Sequence, residues 1–154
     1  KTEFYLANVV HAYRMAIDDY EKDPENWSFE KYFKELDKVR TRGTTDFYFN
    51  NTFNTNIQDY EGKQYNAGYE FGGKIVQYNE EKSIIEIRNK LSIGDELEII
   101  IPRKIEPIKF TIEQLWDIDT DESIDTVNPG VQGQKVKMNL PIKCENNWIL
   151  RRKK

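Results

Sequence analysis

The sequence predicts an α+β fold, in which an N-terminal helical hairpin is followed by a small antiparallel six-stranded β-barrel. Apolar residues recur at helical spacing in the first part of the chain, and short alternating runs separated by turn signals begin at Tyr69. With 154 residues, 38% of them hydrophobic, the chain is long enough to bury a core. The predicted organisation is a helical connector at 1–42, a long ordered loop at 43–68 and the barrel at 69–154.

Two helices are predicted in the connector. The first spans Phe4 to Tyr20 and ends at Asp23-Pro24, because proline disfavours a helical conformation at the residue before it. Ser28 is the predicted N-cap of the second helix. The two apolar stripes consist of Leu6, Val9, Val10, Tyr13, Ala16, Ile17 and Tyr20, and of Phe29, Tyr32, Phe33, Leu36 and Val39.

The segment between the helices and the barrel, from Gly43 to Gly68, is polar and aromatic and has no sustained period. It is predicted to be an ordered loop with one short strand at Asp46 to Phe49. The six predicted strands are Tyr69–Tyr78, Ser83–Asn89, Asp95–Ile101, Ile108–Leu115, Gln134–Leu140 and Trp148–Arg152. Closing these strands into a barrel removes exposed edges. The pair Gly72-Gly73 is predicted to mark a bulge or a tight corner.

The composition excludes several classes of protein. A net charge of −4 argues against a general nucleic-acid or membrane binder, although it leaves local basic patches open. Cys144 is the only cysteine, so a disulfide or a cysteine metal site cannot form within one chain, and a cytoplasmic location is expected. No apolar run approaches the ~20 residues that span a bilayer, and no membrane partner is expected.

The candidate catalytic residues do not form a recognisable set. The acidic run DIDTDESID at 117–125 alternates as a calcium loop does, but Glu122 stands where the sharp turn needs glycine and Asn128 where the bidentate glutamate belongs. A solvated turn is therefore favoured. His11, the only histidine, is expected to be packed, and Cys144 has no activating histidine nearby in sequence. We expect this chain to have no catalytic activity of its own and no cofactor.

Binding is the remaining class of function. Basic residues recur next to predicted turns and at the last strand, where arginine can hold phosphate through two parallel hydrogen bonds. Aromatic residues of the 47–69 segment offer a stacking surface. The alternative is that these charges are merely solvated strand ends. The candidate contact residues are Arg88, Asn89, Lys90, Arg103, Lys104, Arg151 and Arg152.

Four segments together carry a family resemblance: NVVHAYRMAIDDYEKDPEN, ELDKVRTRGTTDFYF, IIEIRNKLSIGDELEI and the closing WILRRK. They resemble the C-terminal part of peptidase family U32, the collagenase-like peptidases. The element from Arg88 to Ile99 is also similar to the second-domain barrels of translation factors. Asp46 departs from the family, which commonly has glycine after the double threonine.

The resemblance implies an accessory role. Members of the family are multidomain proteins, either proteases or prephenate-dependent hydroxylases of transfer or ribosomal RNA, whose catalytic and iron–sulfur residues lie outside this stretch. The chain is then expected to pack against the N-terminal catalytic domain of the same protein and to present protein or structured RNA to it. The alternatives are a purely structural role, in which the chain stabilises the catalytic domain, and a role as part of a tRNA-modifying hydroxylase that grips tRNA. The face formed by Leu6, Val9, Tyr13 and Ile17 is expected to be exposed without that partner.

Overall fold

The computed structural model describes residues 2–39, 68–130 and 133–154, in which a helical hairpin packs on a curled antiparallel sheet. The α+β class is confirmed. The helices are α1 (Glu3–Lys22) and α2 (Glu30–Leu36). The strands are β1 (Tyr69–Gln77), β2 (Ser83–Ile87), β3 (Leu91–Ser92), β4 (Glu96–Ile100), β5 (Ile108–Thr111), β6 (Leu115–Asp117), β7 (Ser123–Ile124), β8 (Thr126–Val127), β9 (Lys135–Met138) and β10 (Ile149–Lys153).

The strand count corrects the predicted six. Eight strands form one sheet in the order β5-β4-β10-β1-β2-β9-β6-β7, and β3 pairs with β8 separately. The predicted strand Ile108–Leu115 ends early: its first four residues form β5, which pairs with β4, and its last residue begins β6, which pairs with β7 and β9. Three further strands have only two residues each, too few for alternation to reveal them.

The predicted closure of the barrel is not observed in the described residues. The hydrogen-bonded order ends at β5 on one side and at β7 on the other. The predicted loop 43–68, with its short strand and its aromatic residues, lies outside the described residues except for Gly68. Neither helix of the described ranges has the length and hydropathy that crossing a membrane requires.

The curled sheet is buried on two faces where the helices cover it. Its interior holds a hydrophobic cluster that includes Leu97, Ile99 and Leu150. On the opposite face, Ile100 and Ile149 pack against Phe4 of α1 and Val39. Strands β4 and β10 therefore have successive buried residues instead of the alternation of a half-exposed strand.

Helix α1 follows its prediction closely. The Thr2 side chain caps it by accepting a hydrogen bond from the Tyr5 backbone N–H at 3.2 Å, and Asp23 ends it. The predicted N-cap of α2 is wrong by one residue: Phe29 occupies that position, in a helical conformation and with no side-chain cap. The Ser28 hydroxyl instead accepts a 3.5 Å hydrogen bond from the Glu30 N–H.

Trp27 holds the two helices together. Its indole N–H donates to the Ala16 carbonyl oxygen at 2.9 Å, and its ring stacks on Tyr32 with 5.9 Å between the ring centres. The Tyr32 hydroxyl donates to Asp19 at 2.6 Å. Because these contacts join residues of α1, of α2 and of the turn between them, the hairpin has a defined geometry.

The Gly72-Gly73 prediction is confirmed as a bulge. In the β1–β10 ladder Phe71 pairs with Arg151 and Gly73 with Leu150, so Gly72 has no partner on β10. A β-carbon on Gly73 would lie 2.7 Å from the Glu86 carbonyl oxygen of β2. Glycine at this position therefore allows β1 and β2 to approach closely.

Candidate functional site

Arg151 lies at the centre of a buried charge network between the sheet and the hairpin. Its side chain is fully buried and faces Glu98, its register partner on β4. The Nε atom donates to Glu98 Oε2 at 2.8 Å, and the Nη atoms donate to the carboxylate of Glu35 on α2. Arginine is almost never fully buried unless it is paired, and here two carboxylates pair with it.

Further polar groups complete the network. The Lys38 ammonium lies 2.8 Å from Glu35 and 3.6 Å from Glu98, which balances two buried anions with two cations. The Arg151 guanidinium also stands over the Tyr69 ring, 5.2 Å from its centre. The buried Asn8 of α1 accepts a 3.4 Å hydrogen bond from Arg151, while its amide nitrogen has no hydrogen-bond partner among the residues that the structure describes.

The electrostatics of the network favour its charged form. Burial by itself raises the pKa of Glu35, but the hydrogen bond and the charge of Arg151, with a contribution from Lys38, outweigh burial. The pKa of Glu35 therefore lies below its ordinary value. Because the network contacts both helices and two central strands, it fastens the hairpin to the sheet.

Arg152, the next predicted contact residue, lies partly buried and paired. Its guanidinium contacts Glu70 of β1 and Asp95, the residue before β4. Burial lowers the pKa of Arg152, but the hydrogen bonds to those two carboxylates outweigh burial and raise it. The Arg152 guanidinium is therefore engaged in ion pairs within the domain.

Arg88 and Asn89 are gathered around Phe71. Arg88 lies 5.5 Å from the centre of the Phe71 ring, and the Asn89 amide donates to the Phe71 carbonyl oxygen at 2.8 Å. Arg88 also pairs with Glu3 of α1 at 2.6 Å and with Glu86 at 2.8 Å. Both predicted contact residues thus support the junction of β1, β2 and α1.

The other predicted contact residues, Lys90, Arg103 and Lys104, are exposed. Arg103 follows β4 and has a left-handed backbone with φ of 66°, which is uncommon for a residue with a β-carbon. The Lys104 backbone forms a hydrogen bond with His11 of α1. The structure therefore separates the seven predicted residues into an internal group and a smaller exposed group, and substrate contact stays a prediction for them.

The hairpin exposes an apolar face. Its side chains are between 46% and 62% exposed, although all of them are large and hydrophobic. Val9, expected on this face, instead packs against the Phe4 cluster, and Val10 is exposed. We define the apolar helix face by Leu6, Val10, Tyr13, Ile17, Tyr20, Phe29 and Phe33.

The acidic run forms a turn between β6 and β7. The Asp117 carboxylate accepts hydrogen bonds from the backbone N–H groups of Asp119 and Thr120, at 2.9 and 3.0 Å. The Asp121 carboxylate pairs with Lys82 and Lys137 at 2.7 and 3.1 Å. The Asp117 carboxylate is therefore bound by backbone N–H groups, and the Asp121 carboxylate by two lysines.

The two candidate reactive side chains lie apart. Cys144 belongs to the interior cluster, and burial raises the pKa of its thiol to about 11, so the thiol is protonated near neutral pH. His11 is half-buried on α1. Burial lowers its pKa, opposed by the charge of Glu35 and a backbone hydrogen bond with Lys104. His11 is therefore neutral near pH 7.

Sequence reasoning missed the acidic members of the network, Glu35 and Glu98, and their neighbour Asn8. A signal existed, because Asn8 lies four residues from both Phe4 and Ala12 on the buried stripe of α1, and Glu35 lies three residues after the buried Tyr32. A polar residue within a buried stripe requires a partner. That rule indicates an internal network even without knowledge of the partner.

Two family models match the chain. One, described as the peptidase family U32 C-terminal domain, matches residues 67–151, and the other, described as peptidase family U32, matches residues 1–59. The boundary between them falls between the hairpin and the sheet.

The chain is also similar to curated proteins. It is 34% identical over 149 residues to tRNA hydroxylation protein P1 of Bacillus subtilis, covering 95% of this chain and 35% of that protein. It is 27% identical over 153 residues to tRNA hydroxylation protein P of Escherichia coli, covering 97% of this chain and 32% of that protein. The chain thus spans about a third of the length of these relatives.

A solved structure also matches the chain. It is the C-terminal domain of a Geobacillus thermoleovorans protein designated a U32 peptidase, with 26% identity and a TM-score of 0.48. The match covers 54% of this chain and 99% of that one.

Proposed function

Since this chain belongs to peptidase family U32, we propose that it is the part of a tRNA hydroxylation enzyme that docks on the catalytic part and holds tRNA for it. One observation carries the proposal. The 34% identity with tRNA hydroxylation protein P1 extends over 149 residues, so it includes the hairpin and the sheet together. This similarity supports RNA over protein as the substrate class.

The proposal places the chemistry outside this chain. Cys144 is a protonated thiol inside the core, and His11 lies on α1, outside that core cluster. A nucleophile needs an adjacent base within hydrogen-bond reach, and these two groups do not form such a pair. The chain therefore contributes binding and positioning.

The apolar helix face supplies the docking surface. The hairpin carries it on the side opposite the Phe4 cluster, which contacts the sheet. Burying half-exposed aromatic and aliphatic side chains is favourable by roughly 25 cal/mol per Å² of apolar surface. Because the Arg151 network fastens the hairpin to the sheet, docking at this face also fixes the direction of the sheet and of Arg103 and Lys104, the exposed cations that follow β4.

A chimaera tests the proposal in cells. This chain replaces the matching third of the B. subtilis relative in a strain that lacks the relative, and tRNA hydroxylation is measured by mass spectrometry of digested tRNA. The chimaera is expected to restore hydroxylation. A chimaera with Tyr13→Asp and Ile17→Asp is expected to lose it, because two charges then stand on the docking face.

The matched control replaces two exposed residues of the sheet side, Ser123→Asp and Asn139→Asp, which adds the same two negative charges and is expected to keep hydroxylation. Each variant chain is also melted alone, since the Tyr13 and Ile17 side chains are exposed and their replacement is expected to leave Tm nearly unchanged. The proposal would be contradicted if the chimaera with the natural apolar face folded but hydroxylated no tRNA. Full hydroxylation by the Tyr13→Asp, Ile17→Asp chimaera would also contradict it.

A further inference from the structure

A groove of about 330 Å³ lies between α1 and the segments that follow β4 and precede β10. Its size is at the lower end of the range of ligand pockets, about 300–1,000 Å³. The lining is mostly apolar, with polar and charged groups among it. The residues that matter for the argument are His11, Arg14, Met15, Arg103, Asn147 and Trp148.

The chain at Asn147 and Trp148, which lines one side of the groove, is anchored to β1. The Ile75 N–H donates to the Trp148 carbonyl oxygen at 2.9 Å, and the Asn147 N–H donates to the Ile75 carbonyl oxygen at 2.7 Å. Trp148 is half-buried and packs in part against the interior cluster. The groove is therefore lined by a tryptophan whose backbone is held by the sheet and which remains partly exposed.

Two of the lining residues have left-handed backbones. Arg103 has φ of 66° and Asn147 has φ of 71°, and they lie in different turns that meet at this groove. Asparagine adopts this conformation readily in turns, whereas for arginine it costs free energy, and strained backbones concentrate at binding and catalytic sites. The Arg103 backbone therefore supports the groove as a site.

The charge in the groove is positive. Arg103 is exposed and forms no ion pair within the part of the chain that the structure describes, and Lys104 is exposed next to it. Arg14 shares its charge with Asp18. An occupant that complements this groove has a flat apolar part for Trp148 and an anionic group for Arg103.

We propose that the groove binds one unstacked nucleotide of an RNA, with its base against Trp148 and its phosphate on Arg103. The inference rests on the proposed function, which makes tRNA the partner, and adds the place and the mode of contact. Proteins commonly recognise single-stranded RNA by stacking its unpaired bases on aromatic side chains, while arginine contacts the phosphates of the RNA backbone. Such stacking tolerates any base sequence.

The test compares two probes with the chain and two variants. Fluorescence anisotropy measures binding of a labelled RNA hairpin with a single-stranded loop and of a fully paired RNA duplex of the same length. The chain is expected to prefer the hairpin. Trp148→Leu is expected to weaken hairpin binding by roughly 5- to 150-fold, the effect of losing one stacked base.

Arg103→Gly removes the guanidinium at a position where glycine suits the left-handed backbone, so the fold is expected to be retained. This variant is expected to lower the magnitude of the log–log salt slope by about 0.7, the loss of one phosphate contact on a single strand. The matched control is Lys135→Gln, which removes an exposed cation on β9, away from the groove. It is expected to leave hairpin binding nearly unchanged.

The outcomes separate this inference from the proposed function. If the chain binds the hairpin and Arg103→Gly binds it equally well with the same slope, the groove assignment is wrong and tRNA holding stands. If the chain binds neither probe, tRNA holding by this chain falls and the groove assignment falls with it. A third outcome is that the groove variants keep RNA binding but abolish hydroxylation by the chimaera. The groove would then bind a segment of the parent protein, and the nucleotide assignment would be wrong.

Discussion

Arg151 of β10 stands directly opposite Glu98 of β4, with 2.7 Å between its Nη2 atom and a carboxylate oxygen, and both side chains are buried. The attraction between them is strong because little water screens it, and both groups lost their hydration on folding. Removing only one partner leaves a buried charge uncompensated. The pair therefore makes the fold sensitive to substitutions that would be harmless at the surface.

Arg151→Met is expected to lower the free energy of unfolding by about 3–5 kcal/mol, because it leaves the carboxylates of Glu35 and Glu98 without their main partner. The matched control is Arg152→Met at the next position, where the ion pairs are partly exposed and about 0–1 kcal/mol is expected. Urea denaturation measures both values. Equal losses in the two variants would contradict the assignment of the network.

Acid is expected to destabilise the fold through Glu35. Its pKa in the folded chain lies below its ordinary value, so the unfolded chain binds the proton more readily. The stabilisation is complete above the unfolded pKa, about 4.3, and is lost as the pH falls through the lower folded pKa. Urea denaturation of the wild type and Glu35→Gln along a pH series measures the effect.

Glu35→Gln is expected to be less stable than the wild type at pH 7 and to lose less of its stability on acidification. The control Glu106→Gln changes an exposed carboxylate and is expected to follow the wild type. A Glu35→Gln variant whose stability falls as steeply as that of the wild type would show that another group carries the acid response.

Gly73→Ala is expected to destabilise the sheet by about 1–3 kcal/mol, because the added methyl group would lie 2.7 Å from the Glu86 carbonyl oxygen and 3.0 Å from an Ile85 methyl carbon. The neighbouring Gly72→Ala is the control. Its nearest contact is 3.3 Å, to the Leu150 carbonyl oxygen, and a smaller loss is expected. Thermal melts of the two variants give the comparison, and a Gly72→Ala loss as large as that of Gly73→Ala would speak against the close approach of β1 and β2.

Local pattern was sufficient for the larger elements. The seven-residue apolar stripe of α1 and the Asp23-Pro24 stop predict a helix that the structure extends by one residue at its start and two at its end. Strands β1, β2, β4, β9 and β10 lie within the predicted runs or extend past them by one residue. The two-residue strands escaped because they form through pairing with distant segments.

The candidate site was less accessible to such reasoning. Arg151 was predicted as a contact residue because it belongs to the basic run of the last strand, but the hairpin covers its face of the sheet. Its partner Glu35 is 116 residues away, and no local period connects the two. Lys90, Arg103 and Lys104, which were predicted as contact residues, are exposed in the structure, and their contact with a substrate stays a prediction.

The central place of β10 affects how the nascent chain folds. This strand follows the other nine described strands in the chain, yet it joins β4 to β1 in the middle of the sheet. Until residue 153 has been synthesised, the sheet consists of two separate parts, β5-β4 and β1-β2-β9-β6-β7, whose inner edges are unpaired. Glu98 then has no Arg151 to pair with. We therefore expect this sheet to form completely only after β10 leaves the exit tunnel, and the unpaired edges of β4 and β1 to be accessible to chaperones before then.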